Sequence, residues 1–253
     1  MPHAIRQLLL DPDLLQGGLV LITATNGQGK TTTASATVRS RLELFSGHAN
    51  TVEDPPELPL HGFHVGPGDT RGRCDQIPVD PEDPNTPGSE YAMKLRSTLR
   101  MFPAIGGGTI LFVGEIRDSE TAAETILAAA NGHLVIATAF GHSISGAITR
   151  LAAMCQERLG AASANDLIAG NLRACIFQRL FWRKDGEGWD RGELRADALH
   201  VPSPTHGIAN ALRNANFSGI TKAIESQRTV LQSFADTQPS IGEIKKKLSE
   251  IAV

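Results

Sequence analysis

Residues 20–33, VLITATNGQGKTTT, join a short apolar run to a loop of small and polar residues that ends in lysine and threonine. The run and the glycines before it, GGLVLITA (17–24), predict a buried strand, because the segment is short, apolar and followed by a polar loop. Behind the loop, residues 32–45 repeat apolar side chains at helical spacing, and Gly47 fits a helix stop. A strand, a loop and a helix in this order predict an α/β fold.

The loop has the spacing of a phosphate-binding P-loop, although Ala24 stands where the first glycine is usual. Gly27 and Gly29 let the backbone curl so that its N–H groups point at phosphates. Lys30 adds a positive charge, and the Thr31 hydroxyl can ligate Mg²⁺. A glycine-rich turn with an incidental lysine is the alternative, but the flanking strand and helix favour a nucleotide site. The expected nucleotide contacts are Thr25, Asn26, Gly27, Gln28, Gly29, Lys30, Thr31 and Thr32.

A second acidic element follows in TILFVGEIRDSETAAETILAAANGHLVIATAF (109–140), which parses as a strand (109–113), a helix (119–130) and a strand (134–138). This βαβ unit implies a right-handed crossover and a parallel sheet. Glu115 comes just after the first strand, at the carboxyl end, where parallel sheets place their ligands. It is a candidate to polarise a water molecule for hydrolysis; the alternative is an ordinary solvated acid in the turn before a helix.

Outside these motifs the chain alternates helical patterns with loops. Residues 54–89 are rich in proline and glycine without a sustained period, which predicts a long irregular loop. We expect helices at 89–102, 144–159 and 164–175, a hairpin within 177–201, and further helices toward the end, separated at Gly219 and at 239–240. These elements suggest a nucleotide-binding core over residues 1–160 and a mostly helical C-terminal subregion, with the hairpin, over residues 161–253.

Composition is that of an ordinary globular protein, with 41% hydrophobic and 20% charged residues. The net charge of −3 argues against nucleic acid or an anionic membrane surface as a direct partner. Cys74, Cys155 and Cys175 are widely spaced, which predicts reduced, buried thiols in an intracellular protein. We expect no signal peptide and no membrane insertion, since no apolar run nears the roughly 20 residues that cross a bilayer.

The order of five sequence blocks resembles the PilT/GspE-type secretion ATPases, which include the motors of type IV pili, type II secretion, and conjugation or type IVB secretion. The blocks are TNGQGKTTT (25–33), TVEDPPEL (51–58), LRSTLRMFP (95–103), ILFVGEIRDSETA (110–122) and NGHLVIATA (131–139). They match the family's Walker A loop, Asp box, basic helix, Walker B segment and His box. The resemblance implies a RecA-like P-loop NTPase with a mainly parallel twisted sheet flanked by helices and a small, mostly helical C-terminal part.

The resemblance also implies roles for three catalytic candidates. Glu115 would be the general base for the attacking water, and Glu53 of the Asp box would lie near the γ-phosphate and metal or position water. His133 would couple the γ-phosphate to neighbouring groups. Without the resemblance, Glu53 reads as part of a turn before two prolines, and His133 as a satisfied core histidine at the start of a strand.

Arginines are expected because a ring-shaped motor completes its site with guanidinium groups that stabilise transition-state charge. Arg96 and Arg100 share one helix face at a spacing of four residues and match basic positions of the family. Arg71 and Arg73, in the expected loop, are further candidates. For each of the four, a solvated or salt-bridged position is the alternative.

Three departures from the family pattern predict a divergent member. Lys30 lies so near the start that the family's N-terminal domain is expected to be absent. The His box continues as Thr-Ala-Phe-Gly (138–141) instead of Thr-Leu-His-Thr, with His142 two places later. A run of glycines at 106–108 replaces an acidic turn before the Walker B segment. Slow hydrolysis, or a requirement for a partner, would follow.

The leading hypothesis is therefore an Mg²⁺-dependent ATPase that works as a ring, expected to be a hexamer, at the cytoplasmic face of the inner membrane. It would bind a membrane platform protein of a pilus, secretion or conjugation machine. The alternative is a nucleotide-binding regulator or assembly subunit with little or no hydrolysis. A nucleic-acid translocase is disfavoured, because the chain lacks a stripe of aromatic and basic residues.

Overall fold

A central sheet and two layers of helices make up the part of the chain that the computed structural model describes, residues 1–79, 87–102, 108–182, 184–185, 188–189 and 192–251. The strands are β1 (Gly18–Ala24), β2 (Gly47–Glu53), β3 (Gly62–Val65), β4 (Arg71–Pro78), β5 (Thr109–Ile116), β6 (Leu134–Phe140), β7 (Leu172–Phe181), β8 (Lys184–Asp185), β9 (Gly188–Trp189) and β10 (Glu193–His200). The α-helices are α1 (His3–Leu9), α2 (Lys30–Phe45), α3 (Pro87–Leu99), α4 (Ser119–Ala130), α5 (Ile144–Leu159), α6 (Ala161–Asn171), α7 (Gly207–Arg213), α8 (Phe217–Gln232) and α9 (Ile241–Ser249). Short 3₁₀ helices span Pro12–Gln16 and Pro67–Asp69.

The main sheet has eight strands in the order β10-β7-β1-β6-β5-β2-β4-β3. The pairs β1–β6, β1–β7, β5–β6, β2–β5 and β2–β4 are parallel, and only the outermost pairs, β7–β10 and β3–β4, are antiparallel. The two short strands β8 and β9 form a separate antiparallel pair. The predicted βαβ unit is present as β5, α4 and β6, and it supplies the parallel centre of the sheet.

Helices cover both faces of the sheet, and neighbouring strand residues contribute to opposite cores. Leu19 and Leu21 of β1 belong to the core under α3 to α8, whereas Val20 and Ile22 belong to the core under α1, α2, α9 and the end of α8. This follows from the alternation of side chains along a strand. All seven residues of β1 are buried, which is why the sequence shows a continuous apolar run instead of an alternating one.

The strand register brings the two predicted motifs to one edge of the sheet. Ala24, the last residue of β1, lies opposite Phe140, and Ile116, the last residue of β5, lies opposite Ala139. Both strands therefore end at the carboxyl edge, with only β6 between them. Because adjacent strands are about 4.8 Å apart, β1 and β5 are separated by roughly 10 Å.

The expectation of an irregular loop over residues 54–89 is wrong for residues 62–78. β3 and β4 lie there and extend the sheet beyond β2. Gly72 of β4 packs so closely on α2 that a Cβ atom would lie 2.7 Å from Cβ of Leu42. β3 is a short edge strand, and β4 begins by alternating exposed arginines with Gly72 and Cys74, so neither shows the apolar period that reveals a strand.

Two further boundaries differ from the sequence prediction. Residues 172–175, expected to end a helix, begin β7, which pairs with β1 and brings the predicted hairpin of β7 and β10 into the main sheet. Gly219 lies inside α8 and does not separate helices; the break falls at residues 214–216. The division of the chain into residues 1–160 and 161–253 stays a prediction.

Several expectations fall outside the described residues: part of the proline-rich segment (80–86), Gly106 and Gly107 with their neighbours (103–107), and parts of the hairpin tip (183, 186–187 and 190–191). The three cysteines are free and buried, as predicted. Among the helices that the structure describes, none combines the length and apolar character that a membrane crossing requires.

Candidate functional site

The loop between β1 and α2 has the curled backbone that the sequence predicts. Gly27 and Gly29 have φ angles of 71° and 76°, in the left-handed region that side chains disfavour. A Cβ atom on Gly27 would meet no atom within 4 Å, so its backbone conformation alone accounts for the glycine.

The first turn of α2 directs N–H groups at the space above this loop. Gly29 is its N-cap and offers no side-chain acceptor to the helix. Other helices of the chain are capped: the side chain of Asp118 accepts a hydrogen bond from Thr121 N–H at the start of α4. The first N–H groups of a helix lack partners within it and carry a partial positive charge, so an uncapped start is suited to an anion.

Lys30 places its ammonium group at the same loop. The side chain is 9% exposed, and Nζ donates to the carbonyl of Thr25 at 3.3 Å. Burial lowers the pKa of Lys30, and the negative charge of Glu115 opposes that shift. The cation is held within the cavity and faces a carboxylate across it.

A bulge at the end of β5 presents Glu115. The β5–β6 register shifts between Val113 and Ile116, and the Thr138 hydroxyl donates to the carbonyl of Gly114. A Cβ atom on Gly114 would lie 3.2 Å from the Tyr91 hydroxyl and from the backbone of Glu53. A bulge changes the direction in which a strand points its side chains. The close packing of Gly114 against Glu53 and Tyr91 therefore explains why a glycine precedes Glu115.

Arg117 joins the two acidic elements of the site. Its Nε donates to Glu115 Oε2 at 2.6 Å, and its Nη1 donates to Asp54 Oδ2 at 3.3 Å. These contacts raise the pKa of Arg117, mainly through the hydrogen bond to Glu115. The side chain of Arg117 is 61% exposed, so solvent reaches the guanidinium.

Glu53 ends β2 and is only 2% exposed. Burial raises the pKa of its carboxyl group, although the Gln76 amide, which donates to Oε1 at 3.2 Å, partly opposes the shift. Tyr91 of α3 donates its hydroxyl to the carbonyl of Val52, and burial raises its pKa. These contacts fix the end of β2 against α3.

All these groups line one cavity of about 590 Å³ at the carboxyl edge of the sheet. Its lining residues include Asn26–Thr32 of the loop and helix, Glu53, Asp54, Glu57, Tyr91, Glu115, Arg117 and Thr138. The volume lies within the roughly 300–1,000 Å³ that is usual for small-molecule sites. Four carboxylates face two cationic side chains, those of Lys30 and Arg117. A polyphosphate would therefore fit this site best together with a divalent cation.

Oxygen donors of the kind that Mg²⁺ prefers are present, in the Thr31 hydroxyl and the carboxylates of Glu53, Asp54 and Glu115. Among the described residues, no three histidine, cysteine or acidic side chains form a group that could hold a metal by themselves. This agrees with the habit of Mg²⁺ to bind through few protein groups together with substrate phosphates. The residues present therefore fit the cation as part of a nucleotide complex.

The structure does not place His133 in this cavity. His133 directly precedes β6, whose first residue, Leu134, lies opposite Gly18 at the amino edge of the sheet. Since β6 has seven residues at about 3.3 Å each, the imidazole lies roughly 20 Å from the loop. There its Nδ1 lies 2.7 Å from the Thr109 hydroxyl, its ring stacks on Phe102, and burial lowers its pKa. These contacts hold the imidazole at the amino edge, away from the loop of this subunit, and the role expected for His133 stays a prediction.

The predicted arginines also lie outside the cavity of this subunit. Arg96 of α3 pairs with Glu124 of α4 at 2.7 Å, and Arg100 is exposed just beyond the end of α3. Arg71 and Arg73 lie in β4, where Arg73 pairs with Asp75 at 2.8 Å. Of the site residues predicted from the sequence, the cavity brings together Asn26–Thr32, Glu53 and Glu115, whereas Thr25 does not line it and only its carbonyl accepts from Lys30.

Sequence reasoning missed Arg117, Tyr91, Thr138 and Gln178. Arg117 follows Glu115 by two residues, and that proximity was the available signal. Tyr91 is the only tyrosine of the chain, in the helix before the Walker B segment. Thr138 and Gln178 lie on separate strands, and only the sheet order brings them to the site.

Comparison with known families gives one match over most of the chain. The profile of the family described as "Type II/IV secretion system protein" matches residues 5–222. The matched segment contains every element of the cavity and ends within α8.

Curated relatives include a putative type II secretion system protein E of Escherichia coli K12, which is 36% identical over 183 residues, or 72% of this chain and 31% of that protein. The type II secretion system protein E of Klebsiella pneumoniae is 33% identical over 192 residues, or 76% of this chain and 33% of that protein. The type IV pilus assembly ATPase PilB of Acinetobacter baylyi is 38% identical over 165 residues. The chain spans about a third of the length of the first two.

Solved structures show the same fold. The pilus retraction motor PilT with bound ADP superposes with a TM-score of 0.70 at 23% identity, covering 98% of this chain and 64% of that one. The ATPase DotB of Yersinia pseudotuberculosis superposes with a TM-score of 0.67 at 23% identity, covering 98% and 62%. The predicted RecA-like fold class, with its mainly parallel sheet between helices, is confirmed.

Proposed function

The chain belongs to the type II/IV secretion system protein family, and from this membership we propose that it is an ATP-hydrolysing motor subunit of a type IV pilus, type II secretion or conjugation/type IVB secretion machine. One observation carries the proposal. An uncapped helix start, a buried lysine and the carboxylate of Glu115 face one another in a single cavity. That is the constellation which phosphoryl transfer to water requires.

Each group has a role set by its position. The N–H groups at the start of α2 and the Lys30 ammonium hold the β- and γ-phosphates and offset their charge. Glu115 accepts the proton of the attacking water, and Arg117 fixes the direction of that carboxylate. Glu53, buried at the end of β2, orients water or a phosphate-bound cation beside them.

Mg²⁺ would be held by Thr31, with the acidic side chains reaching it directly or through water. When bound, it neutralises phosphate charge in the transition state. The excess of carboxylates over cationic side chains in the cavity supports this proposal.

Ring assembly would complete the site. No arginine outside the Arg117 cluster lines the cavity among the described residues. We therefore assign Arg96 and Arg100, exposed on and beyond α3, to the surface that meets a neighbouring subunit. The assembly proposed is a cytoplasmic homo-oligomer, expected to be a hexamer, which reaches the inner membrane through a platform protein.

Glu115→Gln tests the motor directly by phosphate release in the presence of Mg²⁺ and ATP. The substitution keeps size and hydrogen bonding but removes the base, so we expect kcat to fall by roughly 100-fold or more. Nucleotide affinity, measured by calorimetry, should change little. Glu157→Gln, an exposed acid on α5, is the matched control and should keep the wild-type rate.

The same assay separates the two candidate functions. A wild-type protein that binds ATP without turnover at any protein concentration would contradict the motor and leave a nucleotide-binding regulator. Turnover per subunit that rises with protein concentration would support a site completed by a neighbour.

A further inference from the structure

The tip of the phosphate loop is tied to strand β7. Gln178 Nε2 donates to the carbonyl oxygen of Gln28 at 2.6 Å, and Leu180 N–H donates to Gln28 Oε1 at 2.7 Å. Gln28 stands between the two glycines whose left-handed φ angles shape the loop. The backbone carbonyl and the side-chain oxygen of Gln28 therefore both accept hydrogen bonds from β7, which lies about 150 positions further along the chain.

The orientation of the Gln178 amide follows from its partner. A backbone carbonyl can only accept, so the atom facing Gln28 must be the amide nitrogen. This leaves Gln178 Oε1 buried, without a hydrogen-bond partner among the described residues, in a side chain that is fully buried. A buried acceptor without a donor favours any shift of the loop that supplies one.

The strand that holds the loop also begins the β7–β10 hairpin. Leu180 lines the nucleotide cavity, and the next two residues, Phe181 and Trp182, are 40% and 57% exposed. Two short hydrogen bonds therefore join the loop to β7, and the exposed pair Phe181 and Trp182 directly follows Leu180 along the chain.

We propose that Gln28 and Gln178 form a clasp that couples the shape of the phosphate loop to the β7–β10 hairpin, so that nucleotide occupancy changes the environment of the hairpin. The proposal rests on the proposed function, since it takes the cavity to bind a nucleotide. Gln28 and Gln178 are positioning residues in this account, because they act through the loop backbone and not on the phosphates.

The chain provides its own reporter for this coupling. It contains two tryptophans, Trp182 and Trp189, and both belong to the segment that joins β7 to β10. Tryptophan fluorescence of the wild-type protein should therefore change when the Mg²⁺ complex of a non-hydrolysable ATP analogue is added. The change should saturate at the dissociation constant that calorimetry gives for the same analogue.

Two variants and a control distinguish the effect of losing the clasp from a general loss of folded structure. Gln28→Leu, in the partly exposed loop, removes the acceptor for Leu180 N–H, and Gln178→Met replaces the buried amide with an apolar chain of similar length. We expect affinity for the analogue to weaken roughly tenfold, as for loss of a buried hydrogen bond. The fluorescence change at saturating analogue should fall by more than half. Gln156→Met, which removes an amide contact between α5 and α6, is the matched control and should keep both.

Full fluorescence amplitude in Gln28→Leu at saturating analogue would overturn the clasp, and this loop variant decides the matter if Gln178→Met fails to fold. If the wild-type protein binds the analogue without a change in tryptophan fluorescence, the coupling is overturned, whereas the proposed nucleotide binding is not. A wild-type protein that binds no analogue in calorimetry would overturn the proposed function and the clasp with it.

Discussion

Glu53 shows at the scale of one residue how burying a carboxyl group can lower the stability of the fold. Its carboxyl group is buried at the end of β2, and burial raises its pKa. An acid whose folded pKa exceeds its unfolded pKa binds more protons in the folded state. The folded protein therefore loses stability as pH rises from the ordinary glutamate pKa, about 4.3, through the raised value.

Glu53→Gln should remove this loss, because the amide keeps the shape of the side chain and carries no charge. We expect the variant to be more stable than wild type at pH 7 by about 1 kcal/mol, or roughly 2–4 °C in Tm. At pH 4 the two proteins should unfold nearly alike, since the carboxyl group is then mostly protonated in both states. Thermal unfolding followed by circular dichroism at the two pH values measures the difference. A variant less stable than wild type at pH 7 would contradict this account of Glu53.

At the same scale, the sequence predicted those residues of the cavity lining that a local motif defines. Lys30 comes after β1, and Glu115 lies at the end of β5, and in a parallel sheet this places both at the carboxyl edge. His133 precedes its strand, and the same rule places it at the opposite edge. The order of sequence blocks in a family does not say at which edge of the sheet a residue lies. The position of the residue relative to its strand does.

Among the elements, α9 shows that the packed structure extends beyond the segment that matches the family profile. It lies outside residues 5–222, yet its Ile244 and Leu248 are fully buried against the core beneath α1 and α2. Its first turn carries a capping box between Ser240 and Glu243. Lys245 holds the helix to the N-terminal 3₁₀ segment through Asp11 at 3.0 Å.

Ile244→Ala should therefore destabilise the protein by about 3 kcal/mol, because it removes buried methylene groups and leaves a cavity. Urea unfolding monitored by circular dichroism gives the free energy of unfolding. Lys246→Ala, exposed on the same helix, is the control and should change it by less than roughly 0.5 kcal/mol. Equal midpoints for Ile244→Ala and wild type would mean that α9 does not pack as described.

Elements with a strong apolar period were predicted well, and elements without one were not. The helix expected at 119–130 matches α4, because alanine-rich apolar spacing and the Asp118 cap mark its limits. β3 and β4 escaped prediction because neither shows a regular apolar pattern: β3 is a short strand at the edge of the sheet, and β4 begins by alternating arginine with small residues. Pairing of β4 with β2 and of β3 with β4, which sequence alone does not reveal, makes them strands.

For the whole molecule, sheet order decides which distant segments share the cavity. β1 and β5 are separated only by β6, so the phosphate loop and Glu115 meet across one strand. β7 on the other side of β1 brings Gln178 and Leu180 to the loop from the far part of the chain. Such neighbours follow from topology, and no local pattern of residues predicts them.

The central claim is that this cavity binds a nucleoside triphosphate with the help of Lys30. Calorimetry with a non-hydrolysable ATP analogue and Mg²⁺, on wild type and Lys30→Met, tests it most directly, with Lys222→Met on the exposed side of α8 as control. Because a charged hydrogen bond to phosphate is lost, affinity should fall roughly 100-fold in Lys30→Met and stay unchanged in Lys222→Met. Equal affinity in Lys30→Met and wild type, or no binding to wild type, would contradict the claim.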